Sequence, residues 1–338
     1  MIRLRETQII PAGINWVQSN KTSGILDSLC VTPTGRIIAG GYGSGIWYSD
    51  DNGVTWVRSN KTDDNWHSFC VTSTGRIIAG SYGGNGIWYS DDNGVTWVQS
   101  NKTTSYWQGL CVTPTGRIIA GNNHGDGIWY SDDNGVTWAQ SNKTDRYWYA
   151  LCVTSTGRVI AGSYNYGIWY SNDNGVTWVR SNITDDSLYS LCVTPTGRII
   201  AGNYVGKGIW YSDNGVTWIR SNKTDDSWYS FCVTSTGRII AGSGTSGGST
   251  GYGNGIWYSD DNGVTWAQSD KTNGSWHSLC VTPTGRIITG SGNSGGIWYS
   301  DSEVIPAKNA HEKYLDQNGV QEIVTQFKAY CDNLVGGA

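Results

Sequence analysis

The stretch Gly45-Ile46-Trp47-Tyr48-Ser49-Asp50-Asp51-Asn52-Gly53-Val54-Thr55-Trp56 decides the fold of this chain, because it recurs along most of the sequence. Its first part, up to Ser49, is short, apolar and aromatic, as β-strands are. Asp51-Asn52-Gly53 are turn residues, and glycine takes a positive φ without steric cost. Val54-Thr55-Trp56 predicts a second extended segment. Equivalent stretches occupy residues 86–97, 127–138, 167–178, 208–218 and 255–266.

The composition indicates a soluble protein with many tight turns and aromatic packing. The 338 residues include 47 Gly and 19 Trp, far above ordinary usage, while charged residues make up 15%. The net charge of −4 argues against nucleic acid and anionic lipid as partners. No apolar run approaches the ~18 residues of a membrane span, so no membrane insertion is expected. No signal peptide is recognisable. We leave the localisation open, with association with a virion or release without a classical signal as alternatives.

One cysteine marks each repeat in the phrase Leu/Phe-Cys-Val-Thr, and successive cysteines are 40, 41, 41, 40, 40 and 48 residues apart. A period near 40 in β-rich sequence is typical of propeller blades. Equivalent thiols cannot all pair with one another, and none has metal-ligand spacing, so we expect small buried residues of a packed strand. The seven positions are Cys30, Cys70, Cys111, Cys152, Cys192, Cys232 and Cys280, and Cys331 lies outside the repeats.

Each repeat offers four strand candidates, which in the first full repeat are residues 28–32, 36–40, 45–49 and 54–58. Four short strands match a propeller blade. The last repeat stops at Asp301 without its fourth strand, whereas the chain begins with an unpaired one at residues 14–18. We therefore predict an all-β fold, a seven-bladed β-propeller over residues 13–301 closed by the N-terminal strand. A lead at residues 1–12 and a tail at residues 302–338 flank it.

The tail predicts one amphipathic α-helix followed by Gly336-Gly337. Such a helix needs a partner surface, either on its own propeller or through self-association or attachment to a larger assembly. Residues 314–320, with the helix, resemble terminal segments of phage tail and virion proteins. The apolar residues at helical spacing are Val320, Ile323, Val324, Phe327, Tyr330 and Leu334.

The turn Ser49–Trp56 fits the pattern Ser-x-Asp-x-Gly-x-Thr-Trp and resembles the Asp-box of the sialidase-like propellers with BNR repeats. The pattern is complete at residues 90–97, 131–138, 171–178 and 259–266, one residue short at 212–218, and broken after Asp301. The resemblance implies a structural turn between the third and fourth strands, facing away from the ligand side. It also implies a fold that serves hydrolases and lectins alike.

A sialidase needs an arginine cluster, a tyrosine nucleophile with a glutamate base, and an aspartate acid, and the repeats do not supply this set. Glutamate occurs only at Glu6, Glu303, Glu312 and Glu322, outside the repeats. Seven arginines recur after the Thr-Gly turns, so we expect them to pair with Asp-box carboxylates. Such uniform repeats offer no singular acid/base pair of the kind a glycosidase uses. The arginines are Arg36, Arg76, Arg117, Arg158, Arg198, Arg238 and Arg286.

The repeats differ from one another mainly in two loops, which alternation places on the rim opposite the Asp-boxes. Their variable residues are Tyr, Trp, Ser, Gly, Asn, Asp and His, a set suited to recognition, since rigid rings supply contact area and short polar groups supply hydrogen bonds. Variation through mere tolerance of change is the alternative, and the Trp66-type rings could instead cap the blade interface. The candidate ligand-binding residues are Tyr42, Trp66, His67, Tyr82, Trp107, Gln108, His124, Trp148, Tyr149, Tyr164, Tyr189, Tyr204, Trp228, Tyr229, Tyr252, Trp276 and His277.

These patterns predict a non-enzymatic, multivalent, lectin-like protein that binds glycans or a glycosylated surface receptor through the variable rim. Binding of a protein receptor, or a structural role in a phage particle, is the first alternative. A sialidase-like glycoside hydrolase is the second. No cofactor is expected, and no metal, because His67, His124 and His277 are too scattered along the chain to form one site.

Overall fold

The computed structural model describes residues 3–4, 7–62, 64–244, 253–293, 295–301, 303–306 and 313–314. One compact unit, Ala12–Asp301, consists of seven four-stranded antiparallel sheets. The predicted all-β, seven-bladed propeller is confirmed. The predicted C-terminal helix lies outside the described residues and stays a prediction. The part of the chain that the structure describes contains no helix long and apolar enough to cross a membrane.

The strands are numbered along the chain, and the first strand of each blade lies nearest the axis. Ahead of the first blade come β1 (Arg3–Leu4), β2 (Thr7–Ile10) and β3 (Val17–Gln18). Blade 1 contains β4 (Ser28–Val31), β5 (Ile37–Gly41), β6 (Gly45–Ser49) and β7 (Val57–Arg58). Blade 2 contains β8 (Trp66–Val71), β9 (Ile77–Ser81), β10 (Ile87–Ser90) and β11 (Val98–Gln99). Blade 3 contains β12 (Trp107–Val112), β13 (Ile118–Asn122), β14 (Ile128–Ser131) and β15 (Ala139–Gln140).

The remaining blades repeat this order. Blade 4 contains β16 (Trp148–Val153), β17 (Val159–Ser163), β18 (Ile168–Ser171) and β19 (Val179–Arg180). Blade 5 contains β20 (Leu188–Val193), β21 (Ile199–Asn203), β22 (Ile209–Ser212) and β23 (Ile219–Arg220). Blade 6 contains β24 (Ser227–Val233), β25 (Ile239–Gly244), β26 (Ile256–Ser259) and β27 (Ala267–Gln268). Blade 7 contains β28 (Trp276–Val281), β29 (Ile287–Ser291), β30 (Ile297–Ser300) and the N-terminal strand β3.

The N-terminal strand closes the ring as predicted. Val17 of β3 lies opposite Tyr299 of β30, and Gln18 lies opposite Trp298, in antiparallel register. The backbone N–H of Gly13 also donates to Ser300 Oγ over 2.8 Å. Blade 7 therefore draws its strands from both ends of the repeat region, and every blade has four strands.

The hydrophobic core is divided among the seven junctions between blades. At the first junction, Ile38 and Ile46 of blade 1 pack against Trp66 and Phe69 of blade 2, and all four are buried. The second strands are buried on both faces, as their apolar sequence predicts. Gly40 is required at this junction, because a Cβ there would lie 2.6 Å from Cβ of Trp66. Each blade is thus held by its neighbours rather than by a core of its own.

The Asp-box forms a tight turn in which one carboxylate accepts backbone N–H groups that would otherwise pair with a neighbouring strand. Asp51 Oδ1 accepts the backbone N–H of Val54 (3.1 Å) and Thr55 (2.8 Å), and Oδ2 accepts the Thr55 hydroxyl (2.5 Å). Asn52 and Gly53 both have positive φ, 62° and 85°. The predicted fourth strand at residues 54–58 is therefore wrong in extent. Because the Asp51 carboxylate takes the N–H groups of its first residues, strand pairing begins only at β7.

The repeated arginines join each blade to the next. Their predicted pairing with the Asp-box aspartates is confirmed for six of the seven, whereas in blade 4 Arg158 donates to the amide oxygen of Asn172 instead. Arg36 donates from Nε and Nη2 to the two oxygens of Asp50, over 2.7 and 2.8 Å. Its Nη1 donates to the backbone carbonyl of Asn93 in the Asp-box of blade 2, over 3.1 Å. In return, the Asn93 side chain donates to the Thr34 hydroxyl of blade 1. Bidentate arginine–carboxylate pairs fix geometry well, which suits a structural clamp.

A second unit contains Met1–Pro11 and the chain from Ser302 on. In it, β2 pairs in antiparallel fashion with β31 (Glu303–Pro306), and β1 pairs with β32 (Lys313–Tyr314). Neither pairing was predicted, since these residues carry no repeat signal.

Candidate functional site

One side chain from each blade reaches the propeller axis at the rim opposite the Asp-boxes. In blades 2 to 7 a register shift at the start of the inner strand leaves one residue, such as His67 between Trp66 and Ser68, outside the ladder. A bulge of this kind re-aims the extra side chain. These residues, with Asp27 of blade 1, enclose a cavity of about 70 Å³ and are called the axial ring below. Its members are Asp27, His67, Gln108, Tyr149, Tyr189, Tyr229 and His277.

Three consecutive blades share one carboxylate in this ring. Nδ1 of His277 lies 2.8 Å from Oδ1 of Asp27, and Nε2 of His67 lies 3.3 Å from Oδ2. The Asp27 side chain is only 6% exposed. Burial alone would raise the pKa of Asp27, but His67, His277 and the backbone N–H of Tyr42 outweigh it and lower the pKa. Asp27 is therefore an ionised acceptor that takes a hydrogen bond from Nδ1 of His277, while Nε2 of His67 lies beside its other oxygen.

The protonation of His67 follows from the same geometry. Burial lowers the pKa of His67 and nearby His277 lowers it further, against the raising effect of Asp27. A neutral imidazole that donates from Nε2 has an unprotonated Nδ1, which can accept a hydrogen bond or a proton. The arrangement thus combines a fixed negative charge with a neutral histidine base. The axial position differs from blade to blade, so this pair occurs once in the ring, but with a single carboxylate it is not the two-carboxylate pair that a glycosidase uses.

Gln108 lines the axial cavity and has a buried amide oxygen without a hydrogen-bond partner among the described residues. The residue is 6% exposed, and its Oε1 has no hydrogen-bond partner among the described residues. A buried amide oxygen without a donor costs about 1–3 kcal/mol. A donor group that reached Oε1 would remove that cost.

The opposite half of the ring is an arc of tyrosines. Tyr149 and Tyr189 stack with centroids 5.1 Å apart, Tyr189 and Tyr229 are 4.9 Å apart, and Tyr229 stacks on His277 at 4.3 Å. Burial raises the pKa of Tyr149, Tyr189 and Tyr229 above the ordinary tyrosine value. Their hydroxyls therefore stay protonated in neutral solution and can donate as well as accept.

Further aromatic side chains from the variable loops flank the ring and are called the outer aromatics, namely Tyr82, Tyr106, His124, Tyr164 and Tyr204. Tyr82 packs on His67 at 4.5 Å and on Tyr106 at 5.5 Å, and Tyr106 packs on His124 at 4.7 Å. Tyr164 and Tyr204 contact the tyrosine arc in the same way. The buried Asn123 side chain lowers the pKa of both Tyr82 and Tyr149, against the larger raising effect of burial. The result is one connected surface of rings and polar groups.

The structure separates the predicted site residues into two groups. The axial ring and outer aromatics bring together His67, Tyr82, Gln108, His124, Tyr149, Tyr164, Tyr189, Tyr204, Tyr229 and His277. The five tryptophans lie elsewhere, buried in the junctions between blades, where they have no face for a ligand. They are Trp66, Trp107, Trp148 and Trp228, each 0% exposed, and Trp276, 4% exposed. Their inclusion in the site is corrected on that ground, because adjacent residues of the strand face opposite environments.

Two other predicted residues stand apart from the ring. Tyr42 is 59% exposed, and its contribution to the ring is the backbone N–H that reaches Asp27. Tyr252, in the long loop of blade 6, lies outside the described residues.

The sequence prediction missed Asp27, Tyr106 and Asn123. Asp27 occupies the same repeat position as His67 and Gln108, but Leu26 replaces the preceding tryptophan that drew attention to the others. An alignment of the repeats on their cysteines would have found it. Asn123 has no such signal, because its role depends on two tyrosines from other loops.

Among the described residues, no group of three or more His, Cys, Asp or Glu side chains is arranged to hold a metal ion. In the His67–Asp27–His277 cluster, His277 is hydrogen-bonded to Asp27 and His67 lies 3.3 Å from the same carboxylate.

Comparison with known proteins agrees with this architecture. The BNR/Asp-box repeat family matches residues 47–58, 129–140 and 257–268. The chain is a seven-bladed β-propeller, and its blades carry BNR/Asp-box repeats. No curated protein matches its sequence.

Solved structures show the same fold at low sequence identity. A streptogramin B lyase superposes with a TM-score of 0.66 at 15% identity, over 88% of this chain and 98% of that one. The virginiamycin B lyase from Staphylococcus aureus gives 0.68 at 13%, over 88% and 99%. The GH74 xyloglucanase from Xanthomonas campestris gives 0.68 at 15%, over 86% of this chain and 54% of that one. At these identities the likeness shows the fold alone.

Proposed function

We propose that this propeller is a lectin-like recognition protein that binds a glycan at the axial ring. The observation that carries the proposal is Gln108, whose side chain lines the cavity and whose buried Oε1 has no hydrogen-bond partner among the described residues. Sugar hydroxyls are donors of the required kind, and Asp27 offers them a second, ionised acceptor. Aromatic faces in the arc and the outer aromatics suit the C–H faces of sugar rings.

The dimensions of the ring define how such a ligand would sit. A cavity of about 70 Å³ holds only a few water molecules or one small terminal group. A sugar ring would therefore lie on the outer aromatics and place one substituent among Asp27, Gln108 and the tyrosine hydroxyls. We accordingly propose one axial site per chain, in place of the multivalent arrangement expected from the sequence.

Binding to a glycan array, followed by titration calorimetry with the best ligand, tests this proposal. We expect Gln108→Ala to weaken binding about tenfold, because one buried hydrogen bond is lost. Tyr147→Ala is the matched control, since Tyr147 is exposed and is not in the ring. An array without signal, or equal affinities for the two variants, would refute the proposal. Binding to a target that survives deglycosylation would instead favour the protein-receptor or phage-particle alternative.

A second candidate is an enzyme that uses His67 as a base. The specific observation is the neutral His67 held by the ionised Asp27, an arrangement able to abstract a proton. The ring contains a single carboxylate, so it does not support the two-carboxylate sialidase-like mechanism. Among the structural neighbours, a histidine-to-alanine variant of the virginiamycin B lyase, solved with quinupristin, is described as catalytically inactive. Turnover of a glycoside and lactone panel that disappears in His67→Gln would establish this candidate, and no turnover would exclude it for those substrates.

A further inference from the structure

The junction between blades 4 and 5, on the Asp-box rim, departs from the other junctions. At the first junction, Arg36 is bound by the Asp50 carboxylate, and Asp92 of the next Asp-box adds a second negative charge nearby. Arg76 has the same surroundings in Asp91 and Asp133. Each of the three guanidinium nitrogens of these arginines already has an acceptor, and the nearby carboxylates disfavour a further anion.

Arg158 has amides where the other two arginines have carboxylates. Its Nε donates to Oδ1 of Asn172 over 2.7 Å, and its Nη1 donates to the backbone carbonyl of Asn214. Among the described residues, no acceptor for Nη2 and no ion pair of Arg158 is found. The guanidinium lies 5.1 Å from the ring of Tyr170, whereas the six equivalent pairs are 4.2 to 4.5 Å apart. Arg158 is thus displaced and has an unused donor.

The Asp-box of blade 5 is one residue short, and a side-chain hydrogen bond that joins the blades at the first junction is missing between the described residues here. In a full box, an asparagine such as Asn93 donates across the junction to a threonine of the preceding blade, here Thr34. In blade 5, Asn214 Oδ1 instead accepts the N–H of Val216 and Thr217, in the role that Asp51 has in blade 1. No equivalent bond to Thr156 is found among the described residues.

A cavity of about 330 Å³ lies at this junction, bordered by Arg158, Thr154, Thr156, Thr196, Asp213 and Asn214. Its one carboxylate, Asp213, is held at both oxygens by Arg198, over 2.6 and 3.0 Å, and this pairing lowers the pKa of Asp213. The junction therefore contains two arginines and one carboxylate, whereas the first junction contains two arginines and three carboxylates, Asp50, Asp91 and Asp92.

We propose that this cavity binds an oxyanion, such as a carboxylate, sulfate or phosphate group, on Nη2 of Arg158. A guanidinium with a free N–H beside a partly enclosed space is well suited to planar or tetrahedral oxyanions. The hydroxyls of Thr156 and Thr196, which border the cavity, can supply further donors, whereas Thr154 Oγ1 already donates to the backbone carbonyl of Arg158. The site lies on the rim opposite the axial ring, so it is independent of the proposed glycan site.

The full-length chain should be tested with inorganic phosphate, sulfate and acetate, each at constant ionic strength against chloride. A bound anion raises the melting temperature with increasing concentration, because it stabilises the folded state. We expect this rise in the wild type and its loss in Asn172→Asp, which supplies the carboxylate that other blades already have. The ranking of the three anions then identifies the preferred oxyanion.

Two further variants keep the test decisive if Asn172→Asp does not fold. Arg158→Gln should also lose the anion-dependent rise, whereas Arg76→Gln, at a regular junction, should retain it. Equal rises in the wild type, Asn172→Asp and Arg158→Gln would overturn the proposal, and so would a wild type that responds no more to these anions than to chloride.

Discussion

Nδ1 of His277 lies 2.8 Å from Oδ1 of Asp27, although 250 positions separate the two residues in the chain. The contact crosses the junction between blade 7 and blade 1, where the N-terminal strand closes the propeller. His67 of blade 2 contacts the other oxygen of the same carboxylate. Closure of the propeller and assembly of the polar half of the axial ring are therefore one event.

The first prediction concerns acid stability. The pKa of His67 is below its ordinary value of 6.5, chiefly because burial disfavours the charged imidazole. Between its folded and unfolded pKa values, the unfolded chain binds more protons at His67 than the native one. The stabilisation is therefore complete above about pH 6.5 and is lost as the pH falls through the folded-state pKa. The melting temperature should fall in that range, and it should fall less in His67→Gln.

Calorimetric melting curves recorded between about pH 7 and pH 5 measure how steeply the melting temperature of each variant falls with pH. His124→Gln is the matched control, because His124 is an exposed outer aromatic without contact to Asp27, and this variant should follow the wild type. Parallel pH profiles for the wild type and His67→Gln would contradict the assignment of a neutral, buried His67.

The second prediction concerns the Asp-box. Asp92 accepts hydrogen bonds from the N–H groups of Val95 and Thr96 and from the Thr96 hydroxyl. Asp92→Ala leaves those backbone donors without their acceptor, so the free energy of unfolding should fall by about 1–2 kcal/mol. Urea denaturation measures it. Asp185→Ala is the control, since the Asp185 side chain is 91% exposed, and its effect should stay within about 0.5 kcal/mol. Equal effects would mean that the box does not stabilise the turn.

Much of the fold could be predicted, because short sequence patterns determine each blade and the same patterns recur in every repeat. The spacing of the cysteines predicts the length of a blade. The unpaired strand at the start of the chain predicts how the propeller closes, and the pairing of Val17 with Tyr299 confirms it. The fourth strand was predicted too long, because the carboxylate of Asp51 competes for N–H groups that β-propensity assigns to a strand. That competition depends on a side chain three residues earlier and is invisible to propensity alone.

The site was less predictable. Differences between the repeats identify the rim on which the variable residues lie, but they do not show how deeply each side chain is buried. Trp66 and His67 are neighbours in a variable loop, yet a bulge turns one into the blade junction and the other to the axis. The pairing of Asp27 with His277 depends on ring closure, which no local spacing reveals. That the rim binds a ligand remains a prediction.

The third prediction concerns the buried tryptophans. Trp148 is 0% exposed and packs with Leu151 and Trp178 in its junction. Trp148→Ala should lower the free energy of unfolding by about 3–5 kcal/mol, because it leaves a large cavity. Trp148→Leu should cost clearly less, since Leu26 and Leu188 fill the equivalent sites of blades 1 and 5. Urea denaturation of both variants checks this. If Trp148→Leu abolished ligand binding at unchanged stability, the indole of Trp148 would belong to the ligand-binding site after all.

The last prediction concerns the thiols at the junctions. All seven repeat cysteines are free, and burial raises the pKa of Cys30 and of Cys152 to about 12. The thiolate is the reactive form, so these thiols should not react with a disulfide reagent at neutral pH while the blades stay packed. The measurement is the release of chromophore from native Cys331→Ser, which removes the one cysteine outside the described residues. The same protein in guanidinium chloride should release seven equivalents. A rapid reaction of even one thiol in the native variant would show that its junction opens, because only exposure to water could restore an ordinary thiol pKa there.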